Sequence, residues 1–287
     1  MSEPRLFDDR RLILGESPRR DPAGRLVWVD IVSGEVLTRG DDGSASRFEI
    51  GSQVPAVLVR ADGAGLVVAR ERQVLLYDWE MRPESCIVER VPGSGEGFRI
   101  NDCNIDPAGR LLLGTTTVSS TPGAAALWRL EESGELRLLR PGATISNGLD
   151  WSPDGTLLYY VDSPTRRVVR LEYADELSGE ELFVAIEDEA GVPDGVCVDG
   201  EGNLWVALNG SGEVRGYRPD GSVLERISFP VEAVTSCVVY PGEPAELLVT
   251  TAAVGLTEEE LLGQPGAGMT FSVRLEVTPP SPRCYAG

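Results

Sequence analysis

The stretch SNGLDWSPDGTLLYYVD, residues 146–162, decides the fold of this chain. A polar Ser-Asn-Gly opens it, the turn sequence Ser-Pro-Asp-Gly follows at 152–155, and an apolar run ends it. Proline fixes φ in such a turn, and Asp-Gly supplies residues that tolerate positive φ. A short apolar run after a turn of this kind is typical of a buried strand. The stretch therefore predicts a β-hairpin with the amide of Asn147 at its entrance.

The same unit of a turn followed by an apolar run recurs along the chain. The turns contain residues 21–24, 61–63, 106–109, 152–155, 199–202 and, in degenerate form, 240–244. Their marker positions, 24, 63, 109, 155, 202 and about 244, are 39, 46, 46, 47 and about 42 residues apart. Charged, alternating runs between the units are typical of outer strands with one wet face. The period predicts an all-β fold, a six-bladed β-propeller with four antiparallel strands in each blade.

The period runs through the chain without a linker, which predicts a single domain over residues 1–287. Residues 269–287 are first alternating and then rich in proline. We expect them to complete a blade that the N-terminal strand begins, so that the N- and C-terminal segments close the ring. A helix is expected only near 256–262, where Thr257 is a candidate N-cap followed by acids.

The charge balance restricts the partners. The net charge is −20, from 46 acidic and 26 basic residues. This argues against nucleic acid and against anionic membranes, because both require basic patches. The N-terminus resembles no signal peptide, and no apolar run approaches the roughly 18 residues of a membrane span. Five cysteines without a CxxC pair indicate reduced thiols. We expect a cytoplasmic protein, a monomer or small homo-oligomer, that acts on a small-molecule substrate.

The chain contains no histidine and no lysine. The lack of histidine excludes a Ser-His-Asp or Cys-His catalytic pair and histidine-bound zinc or iron. The lack of lysine excludes Schiff-base chemistry and a Walker-type phosphate loop. Carboxylate, amide, hydroxyl, thiol and arginine chemistry remain.

The repeat allows equivalent positions to be compared. Eight residues before the six markers stand Glu16, Pro55, Asn101, Asn147, Asp194 and Ser236. Four of these six are acids or amides, and equivalent positions of a propeller lie at equivalent heights. If they open the innermost strands, their oxygens converge on the central channel. Each could instead be an ordinary turn residue, but the common offset favours a site.

Converging oxygens with two carboxylates and no nitrogen or sulfur donor suit a hard divalent cation such as Ca²⁺ or Mg²⁺. Two buried carboxylates without a cation would be costly. The offset therefore predicts a cation site at Glu16, Asn101, Asn147 and Asp194. Cys103 and Cys197 follow proposed ligands within three residues, but packing is the favoured role because no histidine or lysine is present to lower a thiol pKa.

These motifs resemble the senescence-marker-protein/gluconolactonase (regucalcin-like) family of six-bladed propellers. The resemblance rests on LGESP at 14–18, RLVWVDI at 25–31, the run beginning at Asn101 and ending at Arg110, residues 146–167 and PDGVCVDGEGNLWVAL at 193–208. It spans almost the whole chain. It implies Ca²⁺- or Zn²⁺-supported hydrolysis of sugar lactones, and related propellers hydrolyse organophosphates.

Carried over by position, the resemblance implies that Glu16, Asn147 and Asp194 hold the metal and that Asp194 is the catalytic base. Arg99, Asn101 and Ser119 are the implied substrate-binding residues. One divalent cation is expected, Ca²⁺ first and Mg²⁺, Mn²⁺ or Zn²⁺ as alternatives.

Two departures from the family pattern concern the substrate. The usual Asn-Asp-Gly-Lys is here Asn-Asp-Cys-Asn, at 101–104. Where many sugar lactonases carry acids that bind sugar hydroxyls, this chain has Thr-Thr-Val-Ser at 116–119. A pocket without those acids makes a polyol lactone a less obvious substrate.

Three functions follow as hypotheses. The first is a metal-dependent lactonase, in which the cation polarises the lactone carbonyl and Asp194 takes a proton from the attacking water. The second keeps the metal but hydrolyses another ester or an organophosphate, or forms or opens a ring in a specialised metabolite. The third is a non-catalytic calcium-binding propeller, since fold alone does not decide function.

Overall fold

The computed structural model describes residues 3–93 and 97–287, apart from the side chain of Glu189. Its strands form six antiparallel sheets of four strands each. Contacts between neighbouring innermost strands run from sheet to sheet and return to the first, so the sheets are the blades of a closed six-bladed propeller. The predicted fold class is confirmed.

The blades follow the chain. Blade 1 contains β2 (Gly15–Arg20), β3 (Leu26–Asp30), β4 (Glu35–Arg39) and β5 (Ala45–Glu49). Blade 2 contains β6 (Ala56–Val59), β7 (Gly65–Arg70), β8 (Gln73–Asp78) and β9 (Pro83–Val88). Blade 3 contains β10 (Arg99–Ile105), β11 (Leu111–Thr116), β12 (Ala125–Leu130) and β13 (Leu136–Ala143).

Blade 4 contains β14 (Ser146–Trp151), β15 (Leu157–Asp162), β16 (Arg167–Tyr173) and β17 (Leu177–Ala185). Blade 5 contains β18 (Val192–Val198), β19 (Leu204–Asn209), β20 (Glu213–Tyr217) and β21 (Val223–Ser228). Blade 6 contains β22 (Val234–Tyr240), β23 (Ala245–Thr251) and β24 (Thr270–Leu275), with β1 (Arg5–Asp8) as its outermost strand. The N-terminal strand thus closes the ring, as expected.

The repeated turns join the first and second strands of the blades, and aspartate side chains organise them. Oδ1 of Asp106 accepts a 2.8 Å hydrogen bond from the backbone N–H of Arg110, and Oδ2 pairs with its guanidinium at 2.7 Å. Asp21 makes the same pair of contacts with Arg25 in blade 1. The glycine of the turn takes the left-handed conformation, with φ of 74° at Gly155, which a side chain rarely tolerates.

The core lies between the blades. The second strands are almost wholly buried, and the indoles of Trp28, Trp151 and Trp205 are among the largest side chains with no exposed surface. Such two-sided burial explains why the strands after each turn are continuous apolar runs.

The helix α1 (Glu258–Gly263) begins with a reciprocal capping box between Thr257 and Glu260, which confirms the predicted N-cap. No helix of the described ranges has the length and apolarity needed to cross a membrane.

The C-terminal segment differs in part from the prediction. Residues 270–275 complete blade 6, but the chain after Leu275 does not stay with that blade. Its residues bond in turn to Gly200, Asp150 and Gly109, which belong to blades 5, 4 and 3. The tail ends against blade 2, where Tyr285 donates to Val59 and accepts from Ala61, both at 2.8 Å. It therefore covers the end of the channel at which the repeated turns lie, the turn face.

Candidate functional site

The four predicted ligands open innermost strands at the opposite end of the channel, the ligand face. Glu16 and Asn147 are the second residues of β2 and β14, and Asn101 and Asp194 are the third residues of β10 and β18. Each lies where the pairing with the next strand is interrupted by a bulge or irregularity. A bulge breaks the alternation of side chains and re-aims the residue within it. The common offset in the sequence thus corresponds to a common structural position.

The backbone beside Glu16 is strained in a way that fixes the carboxylate. Ser17 has a φ of 51°, in the left-handed region that side chains other than glycine seldom enter. Its N–H donates to Oε2 of Glu16 at 2.9 Å, and its hydroxyl exchanges hydrogen bonds with the backbone of Val57 in blade 2. Left-handed strain of this kind is concentrated at functional sites.

The two amides lie on neighbouring blades. Nδ2 of Asn101 donates to the carbonyl of Ser146 at 3.2 Å, which joins blade 3 to the residue before Asn147. Nδ2 of Asn147 donates to Ser163 at 3.0 Å and to Asp194 at 2.5 Å. Neither amide oxygen accepts a hydrogen bond from any residue in the described part of the chain. Both oxygens are therefore free to bind a cation or a substrate hydroxyl.

Asp194 is held by two amides. Oδ1 accepts from Asn147, and Oδ2 accepts from Nδ2 of Asn209 at 3.0 Å. Glycine follows both Asn147 and Asp194, and a Cβ at Gly148 would lie 2.3 Å from the carbonyl oxygen of Asp194. Glycine at that position lets β14 approach β18 closely enough for the contact between Asn147 and Asp194.

Burial and mutual repulsion favour the neutral forms of the two acids. Burial, followed by the charges of Asp194 and Asp102, raises the pKa of Glu16 well above its usual range. Burial and the charge of Asp102 raise the pKa of Asp194 to about 7, against the hydrogen bonds from Asn209 and Asn147. Within the described residues, neither acid has an arginine within the 4.0 Å of an ion pair. A bound cation would supply the missing positive charge.

The donor set fits a hard divalent cation. No cluster of three or more His, Cys, Asp or Glu side chains that could hold a metal occurs in residues 3–93 and 97–287. An ion at this site would thus be held by the two carboxylates of Glu16 and Asp194 together with amide oxygens of Asn147 and Asn101. Carboxylate and amide oxygens in this proportion suit Ca²⁺ or Mg²⁺ better than a soft metal.

The predicted substrate-binding residues differ in placement. Arg99 begins β10 and is half-buried, and its one side-chain hydrogen bond to a described residue goes to the carbonyl of Ile100, at 2.8 Å. Burial lowers its pKa while the charge of Glu16 raises it, which indicates that the guanidinium lies within electrostatic range of that ligand. Ser119 is exposed in the loop after β11, and its hydroxyl bonds within that loop to Thr121 at 2.8 Å and Thr117 at 3.4 Å. Its hydrogen bonds do not join it to the four ligands.

The positions from the other two blades add no ligand. Pro55 precedes β6, and Ser236 is buried against Gly195, where a Cβ would come within 2.3 Å of its hydroxyl. The candidate site is therefore formed by blades 1, 3, 4 and 5.

Two polar residues escaped the sequence analysis. Asn209 ends β19, and its position before a glycine is typical of a turn, yet its side chain holds Asp194. Asp102 follows Asn101 directly, and the irregularity between Ile100 and Asp102 interrupts the regular alternation of side chains in β10. Burial raises the pKa of Asp102, the charge of Arg19 lowers it, and the net shift is upward.

The thiols stay out of the ligand set. Cys103 is fully buried in the apolar core between blades 2 and 3, and burial raises its pKa well above the usual range. Cys197 packs against Cys237 with the two sulfurs 3.6 Å apart, and burial likewise raises its pKa. The predicted packing role is confirmed, and no disulfide forms among the described cysteines.

The chain is similar to known proteins over nearly its full length. Residues 14–253 match the family model described as the SMP-30/gluconolactonase/LRE-like region. The match begins just before Glu16 and includes all four candidate ligands.

Relatives align over nearly the full length. A protein of Bacillus subtilis that bears the name of a sugar lactone lactonase, YvrE, is 33% identical over 285 residues, covering 97% of each chain. Regucalcin of Danio rerio is 32% identical over 287 residues, covering 96% of this chain and 95% of its own. The crystal structure of regucalcin from Agrobacterium tumefaciens, titled a calcium-binding protein, superposes with a TM-score of 0.90 at 26% identity, covering 100% of this chain and 98% of its own.

Proposed function

This chain belongs to the SMP-30/gluconolactonase/LRE-like family, and on that premise we propose that it is a divalent-metal-dependent lactonase. The names of its relatives and its family support lactone hydrolysis in general. The metal dependence, the roles of individual residues and the type of lactone are the proposal.

One observation carries the proposal. Glu16 and Asp194 are carboxylates in the channel without an ion-pair partner in the described residues, and the unbonded oxygens of Asn147 and Asn101 stand beside them. An uncompensated pair of carboxylates costs stability. A site that exists at such a cost is more easily explained by a ligand than by packing.

Each residue has a role in this account. Glu16 and Asn147 would hold the ion through their oxygens. Asp194 would also contact the ion, and its carboxylate, oriented by Asn147 and Asn209, accepts the proton of the attacking water. Arg99 and Asn101 orient the substrate, because both retain unused hydrogen-bonding atoms at the ligand face. When bound, the cation would supply electrophilic stabilisation of the carbonyl oxygen of the ester.

The surroundings of Asp194 suit a proton acceptor. Asn147 and Asn209 each donate to one of its oxygens, which fixes the plane of the carboxylate and leaves lone pairs on both oxygens. Fixed orientation lowers the cost of placing the base against the water. Ser119 is a weaker candidate for substrate binding, because its hydroxyl is already bonded within its own loop.

A specific observation favours a second candidate, hydrolysis of a less polar ester or of an organophosphate. Val118 is 73% exposed in the loop after β11, where acids would be needed to bind sugar hydroxyls. Ile13 and Val254 are also exposed in loops of the ligand face. A mouth with apolar side chains and no acid at 116–119 would accept an apolar substituent more readily than a polyol.

The third candidate, a calcium-binding protein without catalysis, is separated from the others by the coordination of the ion. A fully protein-coordinated ion would favour it, and an exchangeable water on the ion would favour an enzyme.

The experiment is a substrate panel with matched variants. Purified protein is assayed on aldonolactones, aryl esters and organophosphates with Ca²⁺, Mg²⁺, Mn²⁺ and Zn²⁺, beside Asp194→Ala and Glu16→Ala. Lactone hydrolysis that requires a cation and is lost in both variants is the expected result. Inactivity on every lactone with every metal would refute the lactonase, and faster hydrolysis of esters or organophosphates would select the second candidate.

A further inference from the structure

The channel has a cavity at the turn face. It has a volume of 310 Å³ and lies between the ends of the innermost strands and the tail. Arg19, Asn104, Asp150 and Val196 line it from four blades, and residues 280–283 of the tail cover it. None of the four candidate metal ligands lines this cavity. We call it the turn-face cavity.

The tail is fixed over this cavity by specific contacts. Arg283 forms an ion pair with Oδ1 of Asp150 and donates to the carbonyl of Trp151 at 3.2 Å. Its guanidinium also lies 5.5 Å from the centroid of the Trp151 ring. The cover is therefore a built part of the fold, and the cavity beneath it has a defined shape.

The acidic side chains that line the cavity have hydrogen-bond or ion-pair partners within the protein. The carboxylate of Asp150 is satisfied by Arg283 and by the backbone N–H groups of Trp151 and Val198. Asp21 is bonded to Arg25, also within its turn. The carboxylates of the lining thus have their partners already.

Arg19 differs from the other arginines of the lining. Its Nη1 and Nη2 donate to the carbonyls of Pro18 and Cys103, both at 2.8 Å, and no carboxylate of the described residues lies within 4.0 Å of it. Its Nε is buried and has no hydrogen-bond partner. By contrast, Arg20 pairs with Asp41 at 3.1 Å and stacks on Tyr240.

The unpartnered Nε of Arg19 is costly, because a buried donor without an acceptor has lost its hydrogen bonds to water and gained none in the fold. Asp102 and Glu16 interact with Arg19 through space, and no hydrogen bond joins either acid to it in the described residues. An anion in the cavity would add the missing partner. A carboxylate fits best, because its two oxygens match the planar fork of a guanidinium.

The remaining wall defines the body of the ligand. Valine and proline side chains dominate it, among them Val196, Val198, Val239, Pro280 and Pro282. An apolar cavity of about 150 Å³ holds a benzene ring, so the 310 Å³ cavity accommodates a molecule of roughly 10–12 non-hydrogen atoms. The ligand is thus a small organic acid with an apolar body.

We propose that the turn-face cavity is a second ligand site, which binds a small organic monocarboxylate with its acid group on Arg19 and its apolar body against the valine and proline wall. Contact with Nε requires the guanidinium to turn toward the cavity, a change that a crystal structure of the complex would show. The proposal does not depend on the lactonase activity, because it uses neither the metal ligands nor the substrate.

The test compares an acid with its neutral twin. 3-Phenylpropanoate and 3-phenylpropanamide both have 11 non-hydrogen atoms, close to the roughly 10–12 that the cavity holds. Titration calorimetry of the full-length wild-type protein near pH 7.5 is expected to show at least about tenfold tighter binding of the acid, as for a charge-assisted pair. Crystals soaked with the acid should show its carboxylate on Arg19.

Two variants test whether Arg19 is the residue that causes the preference for the acid. Arg19→Gln is expected to abolish the preference for the acid. Arg20→Gln, which removes the same charge from the same lining but from a paired arginine, is expected to keep it. The comparison of acid and amide uses only the wild-type protein, so the test remains decisive even if Arg19→Gln does not fold.

Three results would overturn the proposal. The first is no binding of the acid up to about 10 mM. The second is equal binding of acid and amide. The third is density for the acid at the ligand face, beside Glu16 and Asp194, instead of on Arg19.

Discussion

The side-chain amide of Asn147 donates a 2.5 Å hydrogen bond to Oδ1 of Asp194, across the boundary between blades 4 and 5. This contact fixes the orientation of the Asn147 amide: its nitrogen donates to Asp194, and its oxygen accepts no hydrogen bond from the described residues. Since Asn209 holds the other oxygen of Asp194, the carboxylate is oriented without being neutralised. A carboxylate that is oriented and has a raised pKa, beside an amide oxygen without a hydrogen-bond donor, is the central feature of the site.

Replacement of Asp194 by asparagine should remove catalysis while preserving the fold. Asparagine keeps the shape but cannot accept the proton of water, so kcat is expected to fall by about 10²–10⁴. Steady-state kinetics on the preferred lactone measures the change. Asp154→Asn, at an exposed turn position of blade 4, is the matched control and should keep full activity. Retained activity in Asp194→Asn would show that another group is the base.

Replacement of Glu16 by glutamine should stabilise the protein when metal is absent. The raised pKa of Glu16 means that its ionised form is disfavoured in the fold, so the neutral amide should add about 1–3 kcal/mol near pH 7. Urea denaturation in EDTA measures this gain. With excess Ca²⁺ the order should reverse, because the cation stabilises a protein that binds it. A variant that is less stable under both conditions would contradict the account.

Replacement of Val118 by aspartate should move the preference toward sugar lactones. The side chain is exposed in the loop after β11, so a carboxylate there can accept hydrogen bonds from substrate hydroxyls at little structural cost. One such bond corresponds to a gain of about two- to tenfold in kcat/KM for a polyol lactone relative to an alkyl lactone. Competition assays with both substrates measure the ratio, and Val118→Thr controls for the loss of apolar surface. An unchanged ratio would place the substrate elsewhere.

Replacement of Asp8 by asparagine should weaken the closure of the ring. Asp8 ends β1 and bonds to Arg10 at 2.8 Å and to Arg39 of blade 1 at 3.4 Å. Burial alone would raise its pKa, but the hydrogen bonds and charges of Arg10 and Arg39 outweigh burial and lower it. A lowered pKa stabilises the fold above the unfolded value of about 4 and loses that effect as the pH falls through the folded value.

The expected loss for Asp8→Asn is therefore about 1–2 kcal/mol at pH 7, and it shrinks as the pH falls below the unfolded pKa of about 4 and through the lowered folded pKa. Denaturation curves at several pH values measure it. Asp9→Asn, at the exposed neighbouring position, should change stability by less than about 0.5 kcal/mol. A loss of equal size at both ends of the pH range would argue against the ion pairs as its cause.

The fold could be predicted from the sequence because the repeated turn sequences determine the turn conformation locally. Asp-Pro-Ala-Gly and Ser-Pro-Asp-Gly specify turns locally, and the buried strands after them are continuous apolar runs. The offset that groups Glu16, Asn101, Asn147 and Asp194 succeeds for the same reason, since innermost strand and turn have matching lengths in these blades.

The parts that escaped prediction depend on contacts distant in sequence. The irregularity beside Asp102 follows from pairing with β11, and no local sequence pattern indicates it. Asn209 acts on Asp194, 15 residues away, from the end of another strand. The tail after Leu275 has no strand period, and its path across the turn face is set by partners such as Asp150. Its predicted place in blade 6 is correct only through β24.

The most direct test of the central claim is the rate of lactone hydrolysis by protein stripped with EDTA, measured before and after stoichiometric Ca²⁺, Mg²⁺, Mn²⁺ or Zn²⁺ is returned. The account predicts that the stripped protein is inactive, that at least one cation restores the rate, and that no cation restores it in Glu16→Gln. A stripped protein that hydrolyses the lactone at the full rate would contradict a metal-dependent lactonase.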